Sequence, residues 1–159
     1  MQRSYHEVSP TTVLVAEDEP ITRRLLCRFL EKKGHEVLVA NDGEQAWSLY
    51  VSHRPKLVIS DWRMPKLDGL GLCRRIREQN CDEYTIVLIL TSTTDKEAMI
   101  QGFAAGADDF MTKPLDHVEL EWRIYSGLRV MELQSTLSSR IQDLVDARSR
   151  LQQANEQMR

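Results

Sequence analysis

The stretch K-L-V-I-S-D, residues 56–61, joins a short aliphatic run to a carboxylate. Short apolar runs rich in Val, Ile and Leu are typical of strands buried on both faces of a sheet. An aspartate does nothing to stabilise the edge of a sheet, so Asp61 at the end of this run suggests a chemical role. The stretch therefore predicts a buried strand over residues 56–60 with an acidic side chain at its carboxyl end.

Two further apolar runs also end in charged residues. The run at residues 12–16 is followed by Glu17 and Asp18, and a later run is followed by Lys113 and Pro114. Several carboxylates and one ammonium at neighbouring strand ends would form a pocket suited to a divalent metal and a phosphoryl group. The charged strand ends thus predict one phosphate-handling site.

Runs of this kind alternate with helical patterns along the chain. The strands are predicted over residues 12–16, 36–40, 56–60, 85–90 and 108–112. The helices are predicted to begin at or next to Pro20, Asp42, Asp68, Asp95 and Asp116, which are residue types typical of helix starts. Gly34 is expected to stop the first helix.

Five strands that alternate with five helices imply parallel pairing through right-handed crossovers, with helices on both faces of the sheet. The predicted fold class is therefore α/β, a flavodoxin-like, doubly wound, five-stranded parallel sheet with strand order 2-1-3-4-5. In such sheets the ligand crevice lies at the carboxyl ends of the first and third strands, where the strand order reverses. Glu17, Asp18 and Asp61 occupy those ends.

The charged residues in this crevice suggest a specific reaction. Crowded carboxylates repel each other and favour a hard cation such as Mg²⁺, bound through oxygen. With the cation present, Asp61 can attack a phosphoryl group as an ionised nucleophile and form an acyl phosphate. Lys113 can pair with one phosphoryl oxygen, and the hydroxyl of Thr91, at the end of the fourth run, can donate a hydrogen bond to another. These residues suffice for phosphoryl transfer onto Asp61.

Four segments of the chain resemble the receiver domain of two-component response regulators, over residues 13–127. They are V-L-V-A-E-D-E, V-I-S-D-W-R-M-P-K-L-D-G, I-L-T-S and G-A-D-D-F-M-T-K-P-L. The resemblance implies that Glu17 and Asp18 help to hold Mg²⁺ and that Asp61 is the phosphoacceptor. It also implies that the backbone carbonyl of Arg63 completes the metal shell.

The same resemblance assigns roles to further residues. Thr91 and Lys113 would contact the phosphoryl group, and the Lys113–Pro114 peptide bond would be cis. Phosphorylation would draw Thr91 inward and let Phe110 turn into the vacated space, which shifts the packing of the fourth helix, fifth strand and fifth helix. Phe110 lacks the hydroxyl of the tyrosine that many relatives carry, so it can signal only by packing, and a plain core aromatic is the alternative. The phosphoryl donor would be a sensor histidine kinase or a phosphotransfer protein.

The chain continues beyond the fifth predicted strand in a long helical pattern. No helix stop is evident after Asp116, so a helix on the order of 65 Å long is predicted. Two apolar stripes mark its first part, one at Leu120, Ile124, Leu128 and Met131 and one at Val118, Trp122 and Tyr125. We expect the helix to face its own sheet with one stripe and another surface with the other.

The last part of this helix has the spacing of a coiled coil. Its seam consists of Leu137, Ile141, Leu144, Leu151 and Met158, with Arg148 and Asn155 at intervening positions. Polar seam residues weaken a coiled coil but can fix its register and a two-stranded state. A parallel homodimer through this helix and through the fourth helix, fifth strand and fifth helix is predicted; the alternative is a solvated single helix. The chain would then divide into a flexible tail (1–11), a receiver (12–127) and a coiled-coil linker (128–159).

Two other protein classes fit less well. A phosphatase of the haloacid-dehalogenase type also forms an aspartyl phosphate, but it has a second aspartate where this chain has Arg63. A flavin-binding module needs Gly, Ser or Thr amides after the first strand, where this chain is acidic. We therefore expect no enzyme activity beyond phosphotransfer and slow self-dephosphorylation. The resemblance also implies an output domain beyond residue 159, often a diguanylate cyclase or a phosphatase; a stand-alone receiver is the alternative.

The composition argues against several further functions. The 159 residues carry a formal charge of −3 at pH 7, which gives no whole-chain reason to expect nucleic-acid binding. The longest aliphatic stretch, residues 86–90, is far shorter than the roughly 20 residues that span a bilayer, and the N-terminus lacks a signal-peptide pattern. Three cysteines and four histidines lack the spacing of a disulfide framework or a zinc site. A cytoplasmic protein without membrane or direct nucleic-acid contact is predicted.

Overall fold

The computed structural model describes residues 9–79 and 83–159, so most of the predicted flexible tail at residues 1–11 lies outside the described residues. The strands are β1 (Thr12–Ala16), β2 (Glu36–Ala40), β3 (Leu57–Asp61), β4 (Ile86–Thr91) and β5 (Asp109–Thr112). The helices are α1 (Pro20–Lys32), α2 (Gly43–His53), α3 (Gly69–Glu78), α4 (Lys96–Ala104) and α5 (His117–Gln157). Every predicted strand and helix is therefore present.

Two strands end one residue later than the sequence predicted. Asp61 belongs to β3 because it pairs with Leu90, and Thr91 belongs to β4 because it pairs with Thr112. The prediction ended the two strands at Ser60 and Leu90, just before the polar side chains that it assigned to the site, whereas a sheet ladder depends on backbone amides and carbonyls. Both polar side chains are thus held by the sheet itself.

All five strands run parallel in the predicted order β2-β1-β3-β4-β5. Successive side chains of a strand point to opposite faces of the sheet, so the core has two halves. One half contains Leu26 of α1 and Ile124 of α5, and the other contains Tyr50 of α2, Ile76 of α3 and Met99 of α4. The fold is the doubly wound, flavodoxin-like α/β type that the sequence predicted.

The helix starts follow the predicted capping residues. The side chains of Asp42, Asp68, Asp95 and Asp116 each accept a hydrogen bond from a backbone amide in the first turn of the following helix. Such caps satisfy amides that have no partner within the helix. These short, capped connections fix where each helix leaves the sheet.

Helix α5 first covers the sheet and then extends beyond it. Leu120, Ile124 and Leu128 are buried in the core, which confirms that this stripe faces the helix's own sheet. Lys33, the C-cap of α1, forms an ion pair with Glu121 at 2.8 Å and so links the end of α1 to the start of α5. From residue 132 onwards every residue of the helix is exposed in this single chain.

None of the helices in residues 9–79 and 83–159 has the length and apolar content that a membrane crossing requires.

Candidate functional site

The acidic pocket forms where the carboxyl ends of β1 and β3 meet. These strands are parallel neighbours with Ala16 opposite Ser60, so the residues that follow them lie side by side. Carboxylate oxygens of Glu17, Asp18 and Asp61 all lie within 4.8 Å of one another. The three residues differ in exposure, because Glu17 is fully buried, Asp61 is nearly so and Asp18 faces solvent. The pocket is therefore open on the Asp18 side.

Lys113 reaches into this pocket from the end of β5. Its Nζ atom lies 2.9 Å from Glu17 Oε2 and 3.2 Å from Asp61 Oδ2. Its backbone amide donates a hydrogen bond to the Thr91 carbonyl at 2.8 Å, which fixes the residue relative to β4. The Lys113–Pro114 peptide bond is cis. One ammonium group thus bridges two buried carboxylates.

Burial and the neighbouring groups have opposite effects on the pKa values of Glu17 and Lys113. Desolvation raises the pKa of Glu17 to about 7, and hydrogen bonds from Lys113 and the Glu19 amide only partly oppose it. Desolvation also lowers the pKa of Lys113, but its hydrogen bond to Glu17 and the charge of Asp61 outweigh that effect, so the net shift is upward. Lys113 is therefore held as a cation, whereas burial disfavours the ionised form of Glu17.

The pocket suits a hard divalent cation. Its side-chain ligands are all carboxylate oxygens, the type that Mg²⁺ prefers, and they converge on one point. Added positive charge would stabilise the ionised form of the buried Glu17. The exposed position of Asp18 leaves one side open to water and to a phosphoryl group. The residues present therefore fit Mg²⁺, whereas a ligand role for the Arg63 carbonyl stays a prediction.

Thr91 and Phe110, the two residues assigned to a switch, are both buried. The Thr91 hydroxyl oxygen accepts a hydrogen bond from the Thr93 amide at 3.1 Å. The Phe110 ring packs edge-on against Phe103 with centroids 4.8 Å apart, and its centroid is 6.3 Å from that of Trp62. Phe110 thus lies between α4 and the segment that follows the acceptor.

Two residues near the pocket were not predicted from the sequence. The Arg23 guanidinium donates to the backbone carbonyls of Glu17 and Asp18, at 3.1 and 3.4 Å, and so holds both acids from α1. The third acid of the E-D-E motif, Glu19, is the N-cap of α1 and accepts hydrogen bonds from the amides of Ile21 and Thr22. The Glu19-Pro20 pair in the sequence could have indicated the helix cap. The hydrogen bonds of Arg23 to the two carbonyls could not be predicted in this way, because they depend on the fold.

This geometry can be compared with known proteins. Residues 13–125 match the response regulator receiver domain family. This chain belongs to that family. Receiver domains are signalling modules that bind Mg²⁺ at an acidic pocket and interact with histidine kinases or phosphotransfer proteins.

Individual relatives agree with the family match. The "Probable transcriptional regulator ycf27" of Cyanophora paradoxa is 40% identical over 126 residues, which are 79% of this chain and 52% of the relative. The Francisella response regulator 1452 receiver domain is 34% identical with a TM-score of 0.69, over 75% of this chain and 97% of that one. A probable two-component system response regulator/GGDEF domain protein is 26% identical with a TM-score of 0.71, over 76% and 50%. The chain thus spans about half the length of the curated relatives it matches.

Proposed function

We propose that this receiver accepts a phosphoryl group on Asp61 from a histidine kinase or a phosphotransfer protein and acts as a switch in the cytoplasm. The observation that supports this most strongly is the position of the Lys113 ammonium, 3.2 Å from Asp61 and 2.9 Å from Glu17. A nucleophile, its counter-charge and a set of oxygen ligands are thus gathered at the ends of three strands.

The transfer makes one bond and breaks another. An ionised oxygen of Asp61 attacks phosphorus, and the bond from phosphorus to the donor's imidazole nitrogen breaks, with the electron pair left on nitrogen. Lys113 pairs with one phosphoryl oxygen and the hydroxyl of Thr91 donates to another. Mg²⁺, held by Glu17, Asp18, Asp61 and the carbonyl of Arg63, would supply the positive charge that the phosphoryl oxygens need.

We propose no turnover of small substrates. A haloacid-dehalogenase-type phosphatase needs a second aspartate as general acid, and Arg63 stands at the corresponding position with its side chain exposed. Slow hydrolysis of the acyl phosphate by water would return the receiver to its resting state.

The switch that we propose consists of Thr91 and Phe110. The Thr91 hydroxyl accepts a hydrogen bond from the Thr93 amide. If the hydroxyl turned towards a phosphoryl oxygen, this hydrogen bond would change, and the segment before α4 would move with it. Phe110 contacts α4 through the ring of Phe103. This ring contact can transmit a movement without a hydroxyl on residue 110. The signal would reach the surface formed by α4, β5 and α5.

We also propose a parallel homodimer through that surface and the C-terminal helix. Leu128 and the preceding buried residues of α5 are taken up by the receiver's own core, so pairing of the two helices would begin beyond them. The exposed seam of Leu137, Ile141, Leu144, Leu151 and Met158 supports such a pair, because burial of apolar surface favours association. On this proposal, residues 12–127 are the receiver and residues 128–159 the linker, and Leu128, the first residue of the linker, still packs on the receiver core.

We propose an output domain beyond residue 159, and the relatives support two classes, since one is named a transcriptional regulator and another a GGDEF domain protein. Neither of these two relatives is named a phosphatase. Direct contact with DNA would then belong to the output domain, in agreement with the charge of −3 on this chain.

Beryllofluoride tests the pocket, because BeF₃⁻ occupies the place of a phosphoryl group on a carboxylate. With Mg²⁺ present, it should bind both the wild-type receiver and the control variant Asp68→Asn. Asp68 is the exposed N-cap of α3, and asparagine is an equally good N-cap residue. Asp61→Asn should not bind it. Equal binding to Asp61→Asn, measured by titration calorimetry, would rule out Asp61 as the acceptor.

A further inference from the structure

Residues 62–68, which follow the acceptor, form a loop that two helix starts hold in place. At its base, the Gly69 amide of α3 donates to the Trp62 carbonyl at 2.7 Å. At its far turn, the Gly43 amide of α2 donates to the Pro65 carbonyl at 3.4 Å, and Lys66 has a positive φ of 71°. Arg63 lies between these two anchors. The conformation of the loop therefore depends on α2 as well as on its own helix.

Gly43 approaches this loop more closely than any other residue type could. A Cβ atom at position 43 would overlap the carbonyl oxygen of Leu67 and would lie 2.6 Å from both its carbonyl carbon and its Cβ. The φ of Gly43 lies outside the left-handed region, so an alanine meets no backbone strain there. Helix propensity alone would even favour alanine. Space against the loop backbone is thus the physical reason for a glycine.

We infer that Gly43 is a positioning residue for the metal and phosphoryl site, acting through the loop at residues 62–68. This inference rests on the proposed function, because the loop carries the Arg63 carbonyl that would face Mg²⁺. The first residue of α2 sets the position of the Leu67 and Pro65 carbonyls, and hence the path of the backbone back to Asp61. Groups that orient metal ligands typically change metal affinity by 10–100-fold when they are altered.

Gly71 offers a matched control. A Cβ at position 71 would also meet Leu67, at 2.7 Å, but there it meets the Cδ1 end of the flexible side chain, and its other close neighbour is a side-chain oxygen of Asp68 at 3.1 Å. Gly43→Ala would therefore displace the backbone of Leu67, whereas Gly71→Ala would displace side-chain atoms only. The comparison isolates the position of the loop backbone from the general cost of a larger residue.

The test measures Mg²⁺ affinity and loop protection in wild type, Gly43→Ala and Gly71→Ala. We expect Gly43→Ala to bind Mg²⁺ roughly tenfold more weakly and Gly71→Ala to bind it as wild type does. In the metal-free proteins, the Gly69 amide should exchange its hydrogen faster in Gly43→Ala only. A Gly43→Ala protein with lowered thermal stability but unchanged Mg²⁺ affinity and amide exchange would overturn the inference, since Gly43 would then serve packing alone.

A second pair of variants covers the case in which Gly43→Ala does not fold. Asp42 lies 3.6 Å from Lys66 of the loop, and Asp42→Asn removes this charge pair while keeping a good helix cap. Glu44→Gln removes a neighbouring exposed charge that pairs with Arg75 instead. Mg²⁺ affinity lower in Asp42→Asn than in Glu44→Gln would support the inference, and equal affinity would overturn it. Failure of the proposed function is distinguishable, because wild type would then bind no BeF₃⁻ while Mg²⁺ affinity and amide exchange still compared the variants.

Discussion

The three carboxylates of the pocket have different surroundings although the sequence presents them alike. Glu17 is buried beside Lys113, whereas Asp18 is exposed. Removal of the Glu17 carboxylate would leave the half-buried ammonium of Lys113 with one partner fewer, and the resulting destabilisation would obscure any effect on metal binding. Asp18 is therefore the residue at which metal binding can be tested without a change in the core.

Asp18→Asn should weaken Mg²⁺ binding at least roughly tenfold, because it removes one anionic ligand. Its thermal stability should stay close to that of wild type, since the side chain is exposed. Glu19→Gln is the control, because it changes the adjacent acid, which caps α1. Mg²⁺ titrations followed by the tryptophan fluorescence of the protein, to which Trp62 beside Asp61 contributes, would measure both variants. An unaltered titration for Asp18→Asn would exclude it as a ligand.

At the scale of elements, α4 and β5 fit together through a glycine. A Cβ at Gly102 would overlap the ring of Phe110, which is buried between α4 and Trp62. In the middle of a helix, Gly→Ala normally stabilises by up to about 1 kcal/mol. The contact with Phe110 reverses that expectation.

Gly102→Ala should destabilise the receiver by about 1–3 kcal/mol, the usual cost of overpacking a core. Gly127→Ala is the matched control, because among the described residues a Cβ there would approach only the side chain of Ile86, at 3.2 Å from its Cγ2. It should change the free energy of unfolding by less than about 1 kcal/mol. Urea unfolding would compare the two variants. Equal stability would mean that the Phe110 ring does not depend on the space at Gly102.

The elements were predictable from sequence and some of their contacts were not. The buried strands have continuous apolar runs, and the aspartate caps and Gly34 mark helix ends locally, so a pattern along the chain was enough. The strand-end acids then identified the pocket, because a parallel sheet brings such ends together. The grip of Arg23 and the close approaches at Gly43 and Gly102 depend on which residues the fold brings opposite them. That information is absent from local spacing.

In the whole molecule, α5 continues past the sheet after Leu128, and its residues from 132 onwards are exposed in this single chain. Leu128 is buried on the sheet, whereas Leu144 is 71% and Val145 52% exposed in this single chain. Only Leu144 of this adjacent pair lies on the predicted seam. Substitutions at these two residues can therefore distinguish specific pairing of two helices from non-specific hydrophobic association.

Leu144→Glu should shift the protein from dimer to monomer, because a charge would be buried in the seam of the helix pair. Val145→Glu introduces the same residue one position along the helix and should leave the dimer intact. Sedimentation equilibrium would give the mass of each variant. A wild-type protein that sediments as a monomer would contradict the dimer, and equal loss of dimer in both variants would contradict the predicted seam.

On the proposed function, Asp61 carries the phosphoryl group. Wild-type protein would be phosphorylated with a small phosphoramidate donor and Mg²⁺, reduced with borohydride and digested, and the peptides sequenced by mass spectrometry. Reduction of an aspartyl phosphate gives homoserine, so we predict homoserine at position 61 and at no other aspartate, and none without Mg²⁺. Homoserine at Asp18 or at another aspartate, with Asp61 unchanged, would contradict the account.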